Sequence, residues 1–537
     1  MSKGKSDKVT YKPYDQNQGY LIPPTAEELI APEHLVRMVS ATIDEMEIEP
    51  VMRKYEVGGG ASRYHPVMMT KLFVYGYMNK VCSSRMLAKA VRENVMYMWL
   101  AGGQKPDFRT LNTFRNKLLK GAMEEIFVTA VKMLERKGFI KLENYFVDGT
   151  KIESASGRYT FVWKRAVEKH DQKLDMKIRA YVEMANDIWE MENEDYGERD
   201  LEELGGKERF TSKEVKELAT VLRGKLEELM SEKDEEGRKK KLKREVKTAL
   251  KMVEKDYLPR KKRYESVKRI AGKRNSYSKT DPEATFMRMK EDHLHNGQLK
   301  PGYNVQIGTE NGFVVGYDIF SNLADIRTLK THLKKQKKRL GVKPKNLIAD
   351  AGYGGEENYQ YLENQKITAI VQYGMLRKEQ SRKWKTDKWK VDNWFYDKEE
   401  KYYRCPNGKR LTLRRTAKRK TSSGYPIMVD VYECESCAYC RQKKNCTRAK
   451  GNRKIERNTN LLRLKEKARI VLGEEKYSVL RKQRSAEVET VFGQIKGNLG
   501  YRRFLLRGKA NVFTEWGLLS LGYNLKQLFR LRNKNTA

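Results

Sequence analysis

The stretch Tyr145-Phe146-Val147-Asp148-Gly149-Thr150-Lys151 decides the fold, because an apolar run leads directly into an aspartate followed by a glycine. The pattern returns later as Leu347-Ile348-Ala349-Asp350-Ala351-Gly352-Tyr353. Short apolar runs bounded by glycine predict buried strands that end at a polar edge. We therefore expect Asp148 and Asp350 to lie at the edge of one sheet.

A third carboxylate lies in the segment Val488-Glu489-Thr490-Val491-Phe492, whose pattern is helical. Lys496 follows Glu489 by seven residues, which is two turns along the same helix face. Glu487 is a rival carboxylate, but Lys496 aligns with Glu489 and not with Glu487. Three carboxylates from distant parts of a basic chain indicate a metal site that acts on a phosphodiester.

The charge of the chain indicates its partner. Among 537 residues there are 111 Lys and Arg against 71 Asp and Glu, a formal net charge of +40. This excess is far larger than solubility requires and favours a polyanion, since phosphate contacts release counterions. The sequence has no apolar stretch of membrane-spanning length. Its six cysteines do not form the framework of a secreted protein, so we expect a cytoplasmic, nucleoid-associated protein.

Residues 1–140 have a mainly helical pattern, with Pro66 at a first turn and Asp107 as a cap. Short helices that carry basic side chains suit a helix-turn-helix-like module for DNA binding. The predicted DNA-binding residues of this region are Arg85, Lys89, Arg92, Arg109 and Arg115. The alternative is a helical platform or dimer interface.

The rest of the chain has the pattern of an interrupted α/β core. A first strand carries Asp148, a hairpin is predicted at Glu310-Asn311-Gly312, and a helix crossover leads to the strand of Asp350. This order predicts a ribonuclease H-like catalytic core. The predicted parts are the first part of the core at 141–163, a basic, coiled-coil-like helical hairpin inserted at 164–275, the second part of the core at 276–385, a small cysteine-rich, zinc-ribbon-like insertion at 386–455, and a C-terminal helical part of the core with Glu489 at 456–537.

The cysteine-rich insertion contains five of the six cysteines, which are Cys405, Cys434, Cys437, Cys440 and Cys446. Four thiolates at such spacing can hold Zn²⁺ and fold a segment that lacks its own core. The spacing does not determine which four of the five would bind. Unliganded cysteines and an iron–sulfur cluster are the alternatives, although the spacing departs from that of ferredoxins.

The chain resembles bacterial insertion-sequence transposases of the DDE class over nearly its whole length. The resemblance is carried by Tyr64-His65-Pro66, Pro106 to Leu111, Asp148 to Lys151, Ser278 to Pro282, Asn296 to Asn304, Ala349 to Tyr353, Val488 to Lys496 and Tyr501 to Gly508. It implies a ribonuclease H-like domain in which Asp148, Asp350 and Glu489 hold Mg²⁺ or Mn²⁺ and Lys496 contacts phosphate. It also implies double-stranded DNA as partner, both inverted-repeat ends and target, with a homodimer on the DNA.

Related enzymes have a helical signature in which an arginine precedes the glutamate by four residues. Here Ser485 occupies that position and Arg484 comes one residue early. Five residues rotate a straight helix by about 500°, so we expect Arg484 to lie off the face of Glu489 and to contact DNA. The signature also has a tyrosine before the arginine, and Tyr477 and Arg481 are candidates for these two residues with shifted spacing.

Three further functions are weighed against this one, of which a ribosome- or RNA-associated basic protein would show no active site at all. A ribonuclease H-like nuclease without strand transfer would keep the three carboxylates and need no reader of inverted repeats. A catalytically silent, DNA-binding relic would keep the basic surface and lose metal-dependent cleavage.

Overall fold

The computed structural model describes residues 25–54, 64–193, 208–231, 237–289, 298–421 and 423–536. The chain divides into two compact units, one formed by Met1–Met133 with Leu518–Ala537 and the other by Leu134–Gly517. In the described parts of the chain, no helix has the length and apolar character needed to cross a membrane.

The first unit is helical. Its helices are α1 (Leu35–Glu45), α2 (Glu49–Arg53), α3 (Pro66–Met78), α4 (Ser84–Glu93), α5 (Val95–Leu100), α6 (Phe108–Phe114), a π-helical turn (Arg115–Leu119) and most of α7 (Lys120–Arg136). Pro66 stands at the first turn of α3, and the Asp107 carboxylate accepts a hydrogen bond from the Thr110 amide, so both predicted helix starts are confirmed.

The second unit is built on a mixed sheet, which confirms the α/β class. Its strands are β1 (Asn144–Glu153), β4 (Thr285–Arg288), β5 (Leu299–Glu310), β6 (Phe313–Phe320), β7 (Asn346–Ala349) and β8 (Thr368–Val371), while β2 (Phe161–Trp163) and β3 (Ser276–Ser278) pair apart from it. In the sheet β1 is antiparallel to β5 and parallel to β7, β5 is antiparallel to β6, and β7 is parallel to β8.

Turn chemistry and one buried carboxylate fix the register of these strands. Asn311 and Gly312 have φ values of 52° and 75°, as a tight hairpin turn between β5 and β6 requires, so the predicted hairpin is confirmed. The Glu310 carboxylate accepts hydrogen bonds from four successive amides, those of Lys141, Leu142, Glu143 and Asn144. Glu310 therefore holds the entry into β1.

The helices on the sheet and the cysteine-rich part complete this unit. They are α12 (Leu329–Leu340), α13 (Glu356–Asn364), α14 (Leu376–Gln380), α15 (Arg382–Lys385), α16 (Lys443–Cys446), α17 (Thr459–Gly473), α18 (Glu475–Phe492), a π-helical turn (Gly493–Asn498) and the start of α19 (Lys509–Thr536), whose residues from Leu518 onward belong to the first unit. A second sheet has the strand order β13-β12-β11-β10-β9, with β9 (Phe395–Asp397), β10 (Tyr402–Arg404), β11 (Arg410–Lys420), β12 (Pro426–Cys434) and β13 (Lys454–Arg457).

Between β2 and β3 the described residues form α8 (Lys164–Asn193), α9 (Ser212–Ser231), α10 (Gly237–Met252) and α11 (Leu258–Ala271), where the sequence predicted a helical hairpin. The difference arises because the two basic runs of the insertion, residues 238–244 and 260–263, are themselves helical. Val246 and Tyr257 pack in the same apolar cluster as Leu174 and Leu218. The apolar residues among the charges thus recruit two more helices.

A buried ion network joins the two ends of this helical segment. The Lys261 ammonium on α11, 2% exposed, lies 2.8 Å from the Asp171 carboxylate on α8 and also contacts Asp175. Lys268 reaches the second oxygen of Asp171. Removing one partner of such a network leaves an uncompensated buried charge.

We therefore expect Lys261→Ala to destabilise the protein by about 3–5 kcal/mol, because Asp171 and Asp175 lose their buried cation. The measurement is thermal and urea unfolding of the full chain. Lys213→Ala, at a side chain that is 88% exposed, is the matched control and should have little effect. Equal stability of the two variants would contradict this assignment.

Candidate active site

The sheet brings the two predicted aspartates to neighbouring positions. Val147 pairs with Ala349 in the parallel register of β1 and β7, so Asp148 and Asp350 each follow a paired residue on adjacent strands about 4.8 Å apart. Asp148 is 8% exposed and accepts a hydrogen bond of 2.7 Å from the Gly149 amide. Asp350 accepts one of 2.8 Å from the Gly352 amide. Backbone amides hold both carboxylates near their strands.

Glu489 lies on α18, which packs against β1, β5 and β7. The Arg484 guanidinium lies 3.7 Å from Asp148 Oδ2 and 3.9 Å from Glu489 Oε1. Asp148 and Glu489 therefore approach one cation from two elements that are far apart in sequence.

The contact forms although Arg484 and Glu489 lie on different faces of the helix, as the sequence predicted. Helix α18 is regular from Glu475 to Phe492, and five residues leave the two positions about 140° apart around it. The long side chains span that offset, drawn by the charge of Asp148.

The structure places the rival Glu487 elsewhere. Its carboxylate accepts a hydrogen bond of 2.8 Å from the Gly312 amide at the β5–β6 turn. Burial raises the pKa of Glu487, and the nearby charge of Glu310 raises it further, against the lowering effect of the Gly312 amide.

Lys496, Arg481 and Tyr477 are the remaining candidates for the helical signature, and Lys496 was expected on the same helix face as Glu489. Lys496 is 8% exposed and lies in the π-helical turn, whose wider winding alters the face that a residue seven positions after Glu489 occupies. The Arg481 guanidinium donates a hydrogen bond of 2.8 Å to the Leu472 carbonyl and so closes the end of α17. Tyr477 is half-buried, with the Lys476 ammonium over its ring.

A further carboxylate, which the sequence reading missed, lies beside these residues. Asp325 Oδ1 accepts hydrogen bonds of 2.8 Å from the side-chain amides of Asn304 and Gln306. A β-carbon on Gly149 would lie 2.6 Å from that same oxygen, so the glycine after Asp148 is required for this close approach. The available signal was an aspartate in the loop between β6 and α12.

The buried phenol of Tyr353 shows how closely these acidic groups are gathered. Burial raises its pKa well above the usual value, and the charges of Asp325, Asp148 and Asp350 raise it further. The Tyr353 hydroxyl donates a hydrogen bond to the Gln306 side chain, which Asp325 also binds. Three carboxylates thus act on one phenol.

The donor chemistry of the site suits a hard cation. Carboxylate oxygens are the ligands that Mg²⁺ and Mn²⁺ prefer. Over the described ranges, however, no three Asp, Glu, His or Cys side chains stand close enough together to hold a metal ion. Asp148 and Glu489 instead share the Arg484 guanidinium, so the residues fit a metal by type and not yet by arrangement.

The predicted DNA-binding side chains of the first unit divide into two groups. Arg85, Lys89, Arg92 and Arg109 are exposed, and the guanidinium groups of Arg85 and Arg109 lie 4.9 and 5.7 Å from the Phe108 ring centroid. Arg115 is 4% exposed and donates hydrogen bonds to the Tyr77 hydroxyl and the Cys82 carbonyl. Its burial argues against the predicted DNA contact, because the side chain holds helices together.

The five clustered cysteines line one small cavity of about 20 Å³. Cys434 and Cys437 are buried, while Cys405, Cys440 and Cys446 are half-buried. The Arg453 amide donates to Cys437 Sγ at 3.3 Å, and its guanidinium to Cys446 Sγ at 3.2 Å. The cavity has room for one particle of the size of a water molecule or an ion.

Comparison with known proteins identifies the class. A family described as Transposase DDE domain matches residues 404–529, which include Arg484 and Glu489, and a family described as Transposase domain (DUF772) matches residues 24–117. No curated protein and no solved structure matches the chain. The chain belongs to the insertion-sequence transposases of the DDE class, a family of DNA-cleaving enzymes.

The environment of Glu487 gives a test by pH. The pKa of Glu487 is higher in the folded state than in the unfolded state. The stability that its neutral carboxyl group contributes is therefore fully present below the unfolded pKa and is lost as the pH rises through the folded pKa. Glu487→Gln keeps an acceptor for the Gly312 amide and removes the buried charge. We expect a higher Tm than the parent at neutral pH and a difference that shrinks toward pH about 4.

The control for this prediction is Glu489→Gln, whose side chain is 64% exposed and should change the Tm little. A lower Tm of Glu487→Gln at neutral pH would show that the ionised carboxylate stabilises the fold.

Proposed function

We propose that this transposase binds the terminal inverted repeats of an insertion sequence and catalyses metal-dependent DNA cleavage and strand transfer. The observation that carries the proposal is the shared Arg484 contact of Asp148 and Glu489 beside the strand of Asp350. The strand order β6-β5-β1-β7-β8, with three antiparallel strands followed by two parallel ones, supports a ribonuclease H-like core.

The protein groups have separable roles in this proposal. Asp148, Asp350 and Glu489 would hold Mg²⁺ or Mn²⁺, which would activate water or a 3′-hydroxyl and stabilise the leaving oxygen. The Gly149 and Gly352 amides orient the two aspartates. Arg484 balances the charge of Asp148 and Glu489, and its guanidinium would be available to a DNA phosphate if a metal ion took its place.

DNA recognition is assigned to a different part of the chain. Arg85, Lys89, Arg92 and Arg109 form the exposed basic surface proposed to select the inverted repeats, within the residues matched by the DUF772 transposase domain. Phosphate contacts elsewhere raise affinity for all sequences alike. A homodimer on the DNA and a phosphate contact by Lys496 remain part of the proposal.

The catalytic assignment predicts the behaviour of three variants. Asp148→Asn, Asp350→Asn and Glu489→Gln should each reduce Mg²⁺-dependent cleavage of an element-end duplex by at least about 100-fold, because transition-state charge loses several kcal/mol of stabilisation. Their affinity for the same duplex should stay close to that of the parent. Sequencing of cleaved and joined products measures both steps.

Glu487→Gln is the matched control, two residues from Glu489 on the same helix, and should cleave like the parent. Full activity of Glu489→Gln together with loss in Glu487→Gln would transfer the role to Glu487. Cleaved ends without joined products would favour a nuclease without strand transfer, and binding without cleavage would favour a silent relic.

For the cysteine cavity we propose structural Zn²⁺ held by four of the five thiolates. The support is that all five cysteines line one cavity of ion size and that Arg453 donates hydrogen bonds to two of the sulfurs. Among the described residues no three cysteine side chains stand close enough together to hold an ion, so the proposed site requires the thiolates to draw together around it. Such donors orient ligands and stabilise thiolates. The ion would hold together loops from β10, β12 and α16.

We expect the purified protein to contain about one Zn²⁺ per chain. Metal analysis measures the content, and thiol titration of the folded protein measures access. Cys82→Ser, outside the cluster, should keep the zinc, whereas Cys437→Ser should lose it and lower the Tm. Metal-free protein with all five thiols reactive would refute the site.

A further inference from the structure

The second sheet presents a basic two-stranded surface that the catalytic assignment does not use. We call β11 and β12 the ribbon. Its residues 410–434 include six Lys and Arg, all on β11, and two acidic residues. Along β11 every residue except Leu411 and Ala417 is exposed. Three of its cations form ion pairs within the protein, Arg410 with Glu400, Arg414 with Glu433 and Arg419 with Glu456.

The two faces of the ribbon differ. Thr416, Lys418 and Lys420 share one face, and the register places Asp430, Met428 and Pro426 opposite them. We call these six residues the outer face. The alternate face carries Val429 and Val431, which are buried, and Arg419, whose guanidinium lies 2.8 Å from the Glu456 carboxylate. The alternate face thus carries the buried apolar residues, whereas Lys418, Lys420 and Met428 of the outer face are exposed.

The outer face carries one carboxylate and two lysine ammonium groups. Asp430 accepts hydrogen bonds of 2.7 Å from the hydroxyls of Thr416 and Thr459. Neither Lys418 nor Lys420 has an ion-pair partner among the residues that the structure describes. Met428 between them is 52% exposed. The outer face therefore offers two unpaired ammonium groups around a small apolar surface.

The position of the ribbon connects it with the candidate active site. Its end, at Thr421, Ser423, Tyr425 and Ile427, lines a cavity of about 330 Å³ together with residues 354–357. Those residues follow Asp350 by four to seven positions. The end of the ribbon therefore shares a cavity with the segment that follows Asp350.

We propose that the outer face of the ribbon binds the backbone of the duplex next to the cleavage site. A two-stranded ribbon fits the major groove, which is about 12 Å wide, and lysines at its face meet phosphates without reading bases. The proposal rests on the proposed function for the identity of the ligand as DNA. Sequence selection stays with the first unit.

The test uses the full chain and a random-sequence duplex, since a phosphate contact requires no particular sequence. Lys418→Gln/Lys420→Gln should weaken binding and reduce the slope of log K against log salt by about 2, or about 1 per lysine. Arg419→Gln is the matched control on the same strand, and its slope should equal that of the parent. Lys418→Arg/Lys420→Arg keeps both positive charges and should have the same slope of log K against log salt as the parent.

Binding is measured without divalent metal, so an inactive catalytic centre does not affect the outcome. An unchanged slope in the Gln double variant, with an unchanged Tm, would overturn the proposal. Loss of self-association without a change in slope, seen by sedimentation, would assign the outer face to a second copy of the chain and would also overturn it. Equal losses in Arg419→Gln would show a general charge effect instead of a site.

Discussion

The pairing of β1 with β5 on one side and β7 on the other is the constraint on which the site depends. Antiparallel register with β5 sets Asp148 opposite Ile307, and parallel register with β7 sets it beside Asp350. A shift of one residue would turn Asp148 to the opposite face, because side chains alternate along a strand. Glu310 opposes such a shift by binding four amides at the entry into β1.

A buried polar network on the same strand strengthens this constraint. The Tyr145 hydroxyl lies 2.9 Å from His332 Nε2, and His332 Nδ1 lies 2.8 Å from Asp318 Oδ2. Burial raises the pKa of Asp318, but the His332 hydrogen bond and the charges of Arg339 and Lys335 outweigh it and lower the pKa overall. A β-carbon on Gly308 would lie 1.9 Å from the Tyr145 ring, so this network depends on glycine in the neighbouring strand.

The sequence predicted the parts of this structure that local pattern determines. The hairpin at Asn311-Gly312 and the starts of α3 and α6 follow from turn and capping chemistry. The reach of Arg484 across α18, the π-helical turn at Lys496 and the approach of Asp325 to Gly149 did not follow. They depend on side-chain length, local winding and contacts between distant segments, none of which has a periodic signal.

The same limit applies to charge, because composition counts every cation alike. Arg115 is 4% exposed and binds a tyrosine hydroxyl and a backbone carbonyl, and Lys261 is 2% exposed and binds two aspartates. Both side chains stabilise the packing of the protein interior. Lys418 and Lys420 are exposed without an acidic partner among the described residues. Counterion release requires cations that phosphates can reach, so a formal charge of +40 overstates the DNA-binding surface. The distribution of exposed, unpaired cations, and not their sum, therefore determines where DNA can lie on this protein.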